Sequence, residues 1–260
     1  MNLGLKGKKA LVSGGTHGIG RAISLVLARE GCDVAIFSRT KERVDETKEL
    51  LERFDINNIC LVADVLDDTS FSRVENDIKS KWGGVDIVIN NIGGGGRWGN
   101  PDLLETDNIV WKEVYDKNLT SAMKYTKMFL PYMIEKKWGR VVTITSIYGK
   151  QSGGRPWFNI AKCAQTALMK NLSKNQKYAS ANITFNSVAP GAIFIKNTGW
   201  EKILIETPDK FQEYVNNKLP RCRMGTAEEV ASVVAFLCSE NASLVNGASI
   251  AVDGGESDVF

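Results

Sequence analysis

Three glycines near the start of the chain have a spacing that suits phosphate binding. They lie in the segment SGGTHGIG, residues 13–20, between an apolar run and a helical pattern. Gly14 allows a tight turn, Gly18 allows close backbone approach to a pyrophosphate, and Gly20 allows close packing of helix on strand. The helix N-terminus then presents free N–H groups and a partial positive charge to the phosphates. The pattern therefore predicts a dinucleotide site.

The end of the second predicted strand indicates which dinucleotide binds. NAD sites usually place an acidic residue there, whereas NADP sites place a cation there. This chain has Ser38 and Arg39, with Arg43 close behind. Arg39 can hold a 2′-phosphate through two charge-assisted hydrogen bonds, and Ser38 can donate a third. These residues predict NADP(H). The single histidine, His17, is either a further phosphate contact or an exposed turn residue.

The chain resembles the short-chain dehydrogenase/reductase family over nearly its whole length. The resemblance rests on motifs in family order: Gly14-x-x-x-Gly18-x-Gly20, Asp64, Asn90-Asn91-Ile92-Gly93, Asn118, Ser146, Lys162, Pro190-Gly191 and Val252-Asp253-Gly254-Gly255. It implies that Asp64 and Val65 flank the adenine, that Asn90 lies beside the cofactor, and that Ile193 contacts the nicotinamide end. The expected cofactor-binding residues are Gly14, Thr16, His17, Gly18, Ile19, Gly20, Ser38, Arg39, Asp64, Val65, Asn90, Lys162, Pro190, Gly191 and Ile193.

The resemblance also implies a catalytic group for interconverting a ketone and a secondary alcohol. Hydride transfer leaves negative charge on oxygen, which must be stabilised and protonated. By resemblance, Ser146 hydrogen-bonds the substrate oxygen, Lys162 holds the nicotinamide ribose and lowers the pKa of a tyrosine, and Asn118 holds a water of the proton relay. The expected cofactor is NADP(H), and the expected partner is a small carbonyl or alcohol substrate.

Phe158 stands where the family has its catalytic tyrosine, four residues before Lys162 and on the same helix face. Phenylalanine keeps the shape of the ring but has no proton to give, so we expect impaired turnover. Three explanations stay open: an engineered Tyr→Phe change, a natural protein that binds a dinucleotide without catalysis, or a natural enzyme that uses another acid. Tyr148 is the nearby phenol, and we expect it to pack in the wall.

The elements that position these residues alternate between short apolar runs and amphipathic stretches, which predicts repeated βαβ units. We expect one doubly wound α/β domain of the Rossmann type over residues 1–260, with a seven-stranded, mostly parallel sheet. The predicted strands are Lys9–Ser13, Asp33–Phe37, Asn58–Ala63, Asp86–Asn90, Arg140–Thr145, Thr184–Val188 and Ser249–Val252. The predicted helices are Ile19–Glu30, Lys41–Phe54, Asp68–Trp82, Asp107–Lys136, Phe158–Ala179 and Ala227–Ser239.

Helix ends and loops carry their own predictions. Thr40 and Asp67 are expected to cap the second and third helices, and Gly31 and Gly83 to end the first and third. Two irregular stretches, 93–100 and 191–219, follow strand ends and are interpreted as binding loops. Aromatic and basic residues in these loops and the catalytic turn either converge on a substrate pocket or are ordinary packing: Arg97, Trp98, Arg155, Trp157, Phe194 and Trp200.

Composition sets the remaining expectations. The net charge is +3 with interspersed charges, which argues against a nucleic-acid or membrane partner. The five cysteines are scattered and no apolar run is long enough to span a bilayer, so we expect a cytoplasmic protein with reduced thiols. One histidine and no acidic cluster of ligand spacing predict no metal site. The resemblance suggests a homotetramer or homodimer, with the predicted helices Asp107–Lys136 and Phe158–Ala179 at the interface.

Overall fold

Parallel strands form one seven-stranded sheet in the computed structural model, which describes residues 2–100 and 102–259. The strand order is β3-β2-β1-β4-β5-β6-β7. Successive strands are therefore added on one side of β1 up to β3 and on its other side from β4 onward. The bounds are β1 Lys9–Ser13, β2 Asp33–Ser38, β3 Asn58–Val62, β4 Ile87–Asn90, β5 Gly139–Ile144, β6 Ile183–Pro190 and β7 Ser249–Val252. Every predicted strand is present with its ends within two residues, and the predicted doubly wound fold is confirmed.

Helices cover both faces of this sheet, which explains why its strands are apolar on both sides. The helices are α1 Gly18–Arg29, α2 Lys41–Leu51, α3 Asp68–Trp82, α4 Asn108–Tyr115, α5 Ser121–Lys136, α6 Pro156–Ser173, α7 Gln176–Ala179, α8 Gly199–Glu206, α9 Pro208–Lys218 and α10 Ala227–Cys238. Neighbouring residues of β1 point to opposite layers. Val12 packs with Ile23 of α1, whereas Leu11 packs with Phe129 of α5. All four of these side chains are fully buried.

The predicted helix Asp107–Lys136 is interrupted by a π-helical turn at Asp116–Thr120. Polar side chains compete with the backbone there. Asn118 Nδ2 donates to the Val114 carbonyl at 2.7 Å, and Ser121 Oγ donates to the Lys117 carbonyl at 2.6 Å. Side-chain insertion of this kind widens a helix locally. The prediction of one regular helix was therefore wrong at Asn118, one of the predicted catalytic residues.

Two other helix predictions need correction. The predicted helix Phe158–Ala179 begins earlier, at Pro156, and ends at Ser173. Proline suits a first turn because it lacks the N–H that has no partner there. A short separate helix, α7, follows and is capped by the Asn175 side chain, which accepts from Lys177 N. The stretch 191–219, predicted to be irregular, contains α8 and α9. These helices pack mainly on a small apolar cluster and so lack a long buried stripe.

The predicted helix ends are mostly confirmed. The Asp67 carboxylate accepts from Thr69 N and Ser70 N, as expected of a cap. Gly31 and Gly83 adopt left-handed conformations, with φ of 83° and 77°. Thr40 precedes α2, but its side chain makes no capping hydrogen bond, so that prediction was wrong. None of the helices formed by residues 2–100 and 102–259 is both long and apolar enough to cross a membrane.

Candidate active site

Three adjoining cavities lie along the carboxyl edge of the sheet, where the strand order reverses between β1 and β4 and where ligands bind in open α/β folds. The basic cavity, of about 290 Å³, lies beside the ends of β2 and β3 and contains Arg39 and Lys117. The central cavity, of about 510 Å³, contains Ile19 and Lys162. The outer cavity, of about 380 Å³, contains Ser146. Shared wall residues join them into one cleft: the basic and central cavities share His17, Asn91 and Gly93, and the central and outer cavities share Arg97, Phe158 and Trp200.

The glycine turn forms the floor of the cleft between β1 and α1. Gly14 and Gly18 have φ of 64° and 52°, in the left-handed region that favours glycine. A side chain on Gly20 would lie 2.2 Å from the Gly14 carbonyl oxygen, so the close packing predicted for Gly20 is present. Asn91 fixes the turn, because its Nδ2 donates to the carbonyls of Ser13 and Gly14 at 3.0 and 3.2 Å. The free N–H groups at the start of α1 meet this cleft, which suits them to bind phosphate.

Cations dominate the basic cavity. Arg39, Arg43 and Lys117 contribute to its wall together with Ser38 and one carboxylate, Asp64. Arg39 Nη1 lies 3.8 Å from Asp64 Oδ2, and both side chains are partly exposed. Burial and then the charge of Arg39 lower the pKa of Lys117. This excess of positive charge suits an anion such as a ribose 2′-phosphate better than a neutral ribose hydroxyl.

His17 lies half-buried at the junction of the basic and central cavities. It is therefore not a solvated turn residue. Burial and then the charge of Arg43 lower the pKa of His17 below its ordinary value of 6.5. The imidazole is thus mostly neutral at pH 7, so it would contact phosphate as a hydrogen-bond donor rather than as a cation.

Lys162 is buried, and it contributes to the wall of the central cavity. Its Nζ donates to the Ile144 carbonyl at 3.0 Å and to Gln165 Oε1 at 2.9 Å. Burial lowers the pKa of Lys162 from 10.5 to about 7. No carboxylate pairs with Lys162 among the residues that the structure describes.

Gln165 links Lys162 to the predicted asparagine, a role that the sequence analysis missed. Gln165 Nε2 donates to the Asn118 carbonyl at 2.8 Å, and Asn118 Nδ2 donates to the Gly94 carbonyl at 2.9 Å. The π-turn places Asn118 to make this contact. The available signal was the spacing of Gln165, three residues after Lys162 on the same helix face.

Phe158 lies in the wall between the central and outer cavities. Lys162 Nζ lies 5.6 Å from the centre of its ring. Ser146 lines the outer cavity, and its Oγ accepts a hydrogen bond from Tyr148 N at 3.2 Å. The structure therefore brings Ser146, Phe158 and Lys162 to one cleft, with Asn118 directly behind it.

Some predicted cofactor residues stand behind the cavity walls. Asn90 is buried in the sheet, where its Nδ2 donates to Thr126 Oγ1 at 3.0 Å and to Thr143 Oγ1 at 3.3 Å. The described residues that line the three cavities include Asn91 but not Asn90 or Pro190. Asn90 thus lies behind the wall that Asn91 lines, and its place beside the cofactor stays a prediction. A β-strand alternates its side chains, so the residue after β4 and not its last residue faces the cleft.

The remaining predicted cofactor residues divide among the cavities. Thr16 and Val65 line the basic cavity. Ile193 lines the central cavity, and Gly191 lines the outer cavity.

The aromatic and basic loop residues converge only in part. Arg97 and Trp200 line the central and outer cavities, with the guanidinium carbon 5.5 Å from the indole centre. Trp98 lies instead in the basic cavity, where Lys117 Nζ is 4.6 Å from its ring centre. Trp157 is buried and donates to the Gly95 carbonyl. Phe194 packs on Phe211, and Arg155 stacks on Trp157, so neither of them lies with Arg97 and Trp200 in the cleft.

The cleft has the room and the chemistry for a dinucleotide. A side chain on Gly93 would lie 2.7 Å from Asn118 Oδ1 and 2.9 Å from Lys162 Nζ, so glycine keeps the space before the lysine open. A side chain on Gly18 would lie 2.9 Å from Ile195 Cδ1 across the cleft. The cations of the basic cavity, the glycine turn and Lys162 follow one another along the cleft. This order fits a phosphorylated ribose, a pyrophosphate and a second ribose.

Comparison with known proteins supports this interpretation. Residues 14–257 match a family model described as enoyl-(acyl carrier protein) reductase. The chain is 34% identical over 257 residues to 3-oxoacyl-[acyl-carrier-protein] reductase FabG of Aquifex aeolicus, covering 98% of this chain and 99% of that protein. It is 35% identical over 254 residues to dehydrogenase/reductase SDR family member 4 of Oryctolagus cuniculus, covering 96% and 94%.

Solved structures show the same architecture, and one of them holds a bound dinucleotide. L-sorbose reductase from Gluconobacter frateurii, complexed with NADPH and L-sorbose, superposes with a TM-score of 0.91 at 26% identity, covering 100% of both chains. YwfH, described as an NADPH-dependent reductase involved in bacilysin biosynthesis, superposes with a TM-score of 0.87 at 29% identity, covering 98% of this chain and 100% of YwfH.

Proposed function

Because this chain belongs to the short-chain dehydrogenase/reductase family, we propose that it is an NADP(H)-dependent oxidoreductase that interconverts a ketone and a secondary alcohol, and that Phe158 makes its proton transfer slow. The predicted family agrees with the relatives described above, and the predicted cofactor agrees with the NADPH complex of L-sorbose reductase and with the NADPH-dependent reductase YwfH. The relatives are named for different substrates, an acyl-carrier-protein thioester and L-sorbose. We therefore take only the reaction class from them.

Each part of the cleft has a residue suited to hold the cofactor. Arg39, Arg43 and Ser38 would hold the 2′-phosphate, and the N-terminus of α1 would hold the pyrophosphate. Lys162 would donate to the hydroxyls of the nicotinamide ribose from the central cavity. When bound, NADPH would supply the hydride, and Ile193, which lines the central cavity, would contact its nicotinamide end.

Lys162 is the feature that most strongly supports catalysis. A buried lysine without a carboxylate costs stability, because burial disfavours its charged form. Such residues are concentrated at functional sites. Here the lysine lines the central cavity, and the adjoining outer cavity is lined by Ser146, whose hydroxyl can donate to a substrate carbonyl oxygen.

Phe158 removes one step from this arrangement. Ser146 can stabilise the negative charge that develops on the substrate oxygen, but the Phe158 ring cannot protonate it. Loss of a general acid typically lowers the rate by ~10²–10⁴-fold. Cofactor binding uses other residues and should persist.

The test compares NADPH consumption by this chain and by its Phe158→Tyr variant on a panel of ketones. We expect the variant to be at least about 100-fold faster on its substrates. Phe158→Leu is the matched control, because it changes the ring without adding an acid, and it should not gain activity. Equal rates for the unchanged chain and Phe158→Tyr would contradict the proposed role of Phe158.

A second candidate function is favoured by Phe158 itself: a protein that binds NADP(H) without catalysis. It predicts NADPH binding by both proteins and no turnover by either. It gives no role to Ser146, whose hydroxyl lines the outer cavity. Turnover by the unchanged chain on any ketone would exclude it.

The predictions of one domain over residues 1–260, a cytoplasmic location and a homo-oligomer remain proposals. Exposed apolar side chains on α4, α5 and α6 support the oligomer: Ile109, Tyr115, Met123 and Ile160. Size-exclusion chromatography with light scattering measures the mass of the protein in solution. A monomer at micromolar protein concentration would contradict the proposed homo-oligomer.

A further inference from the structure

We infer that Glu256, together with Tyr214 and Tyr148, forms a subsite that binds a hydroxyl group of the substrate. This inference rests on the proposed function and names the substrate class as hydroxylated ketones. All three side chains line the outer cavity, which Ser146 and Phe158 also line. The subsite therefore shares a cavity with the group expected to bind the reacting carbonyl.

The Glu256 carboxylate is held in place from two sides. Tyr214 OH donates to Glu256 Oε1 at 2.8 Å, and Ala192 N donates to Glu256 Oε2 at 2.5 Å. A side chain on Gly191 would lie 2.4 Å from Oε2, so glycine at this position is what lets the carboxylate approach. The carboxylate is half-buried and keeps unused lone pairs toward the cavity.

A turn after β7 places Glu256 at the cavity. The Asp253 carboxylate accepts from Gly255 N and Ser257 N, both at 3.0 Å. Asp258 N then donates to Gln151 Oε1 at 2.9 Å, which fixes the segment beside the loop that precedes α6. Hydrogen bonds within this turn and to Gln151 therefore hold Glu256 at the cavity.

The phenols give the subsite both donors and acceptors. Tyr214 uses its proton on Glu256, so its oxygen is left as an acceptor. Burial and then the Glu256 carboxylate raise the pKa of Tyr148, which keeps this phenol protonated as a donor at neutral pH. An ammonium group only donates hydrogen bonds, whereas a hydroxyl group both donates and accepts. The mixed set therefore fits a hydroxyl group, and Trp200, which lines the same cavity, would pack on the carbon chain of the substrate.

The test measures binding without requiring turnover. The unchanged chain, loaded with NADP⁺, cannot reduce a ketone, so a ketone forms a dead-end complex whose affinity is measured by titration. We use 4-hydroxy-2-butanone and its isostere 2-pentanone, which replaces the hydroxyl by a methyl group. We expect the hydroxyketone to bind about tenfold to hundredfold more tightly, because a charge-assisted hydrogen bond is lost with the isostere.

Glu256→Gln should reduce this preference to less than about threefold, since the amide keeps the shape but loses the charge. Tyr214→Phe should reduce it as well. Glu213→Gln is the matched control, because it removes the same charge from an exposed position next to Tyr214, and it should keep the preference. A purely structural Glu256 would weaken both ketones equally and leave their ratio unchanged.

Three results overturn the inference: equal binding of the two ketones, no measurable binding of either, or a preference that survives Glu256→Gln. Failure of the proposed function is seen separately, as absence of turnover by Phe158→Tyr. The dead-end titration decides on the subsite in either case.

Discussion

Lys162 Nζ lies 5.6 Å from the centre of the Phe158 ring, one turn along the same helix. A cation near an aromatic ring is favourable, and the ammonium also donates to a carbonyl and to an amide oxygen. Lys162 thus has two hydrogen-bond acceptors and a ring contact without a phenol, although burial still disfavours its charged form. Phe158 differs by one oxygen atom from the tyrosine of the family. The change Phe158→Tyr would therefore place a phenol beside the Lys162 ammonium.

The phenol introduced by Phe158→Tyr should titrate below its ordinary pKa of about 10. A phenolate would raise the pKa of Lys162 from its value of about 7, and the ammonium would in turn lower the pKa of the phenol by about 1–3 units, so the two groups titrate as a coupled pair. The phenolate absorbance of the variant, minus that of the unchanged chain, measures this titration directly. A pKa above 10 would mean that burial outweighs the charge of Lys162, and the expected acid would then be a poor one.

The double variant Phe158→Tyr with Lys162→Met separates these two causes. Without the ammonium, the introduced phenol should titrate at or above about pH 10, because burial alone disfavours the phenolate. If both variants titrate alike, the charge of Lys162 does not act on this position.

Arg39→Ala should weaken NADPH binding by about tenfold to hundredfold and change NADH binding little. Arg39 lines the basic cavity, and a lost hydrogen bond to a charged group typically costs about 1.5–3 kcal/mol. Isothermal titration of both dinucleotides measures the two affinities, with micromolar NADPH binding and weak NADH binding expected for the unchanged chain. Lys41→Ala is the control, because Lys41 is exposed and pairs with Asp45. Equal affinity of the unchanged chain for both dinucleotides would contradict the role given to Arg39.

The sequence predicted the sheet and the glycine turn well because their causes are local. Apolar runs between amphipathic stretches leave few alternatives to parallel strands, and Gly14 and Gly18 indeed take conformations that favour glycine. Arg39 was also found from its place at a strand end, and Ser146 from the family resemblance, and both lie at the edge where the carboxyl ends of parallel strands meet.

The features that the sequence did not predict depend on contacts between distant segments. Lys117, which lines the basic cavity, lies within the π-turn Asp116–Thr120, and that turn has side chains competing with the backbone. Glu256 meets Tyr214 and Ala192 across 42 and 64 residues of sequence. Local periodicity carries no information about such pairs.

Lys162→Met should change how the free energy of unfolding depends on pH. Burial lowers the folded-state pKa of Lys162 to about 7, against 10.5 for its ordinary value. Below about pH 7 the lysine is charged in both states, and the cost of burying the charge is fully present. Between pH 7 and 10.5 the unfolded chain binds more protons, so stability rises with pH by up to about 1.4 kcal/mol per unit.

Urea unfolding of the unchanged chain and of Lys162→Met across this range measures the difference. The variant should be the more stable protein at pH 7 and below, and this advantage should shrink as the pH rises. Lys170→Met, on the exposed face of the same helix, is the control and should show a difference that stays flat. A flat difference for Lys162→Met as well would contradict the burial cost assigned to this lysine.

Tyr148→Phe tests whether the chain already has another acid. Tyr148 is the phenol that follows Ser146 in the outer cavity, but its ring packs against the loop glycines Gly153 and Gly154. Burial and the Glu256 carboxylate raise its pKa, which makes it a weaker acid than a tyrosine beside Lys162 would be. We therefore expect Tyr148→Phe to lower the residual rate on an unhydroxylated ketone by less than about tenfold, below the ~10²–10⁴-fold effect of a general acid. NADPH consumption measures this rate, and the same change in the Phe158→Tyr background is the control. A larger loss confined to the Phe158 chain would assign proton transfer to Tyr148 and make the natural phenylalanine compatible with an active enzyme.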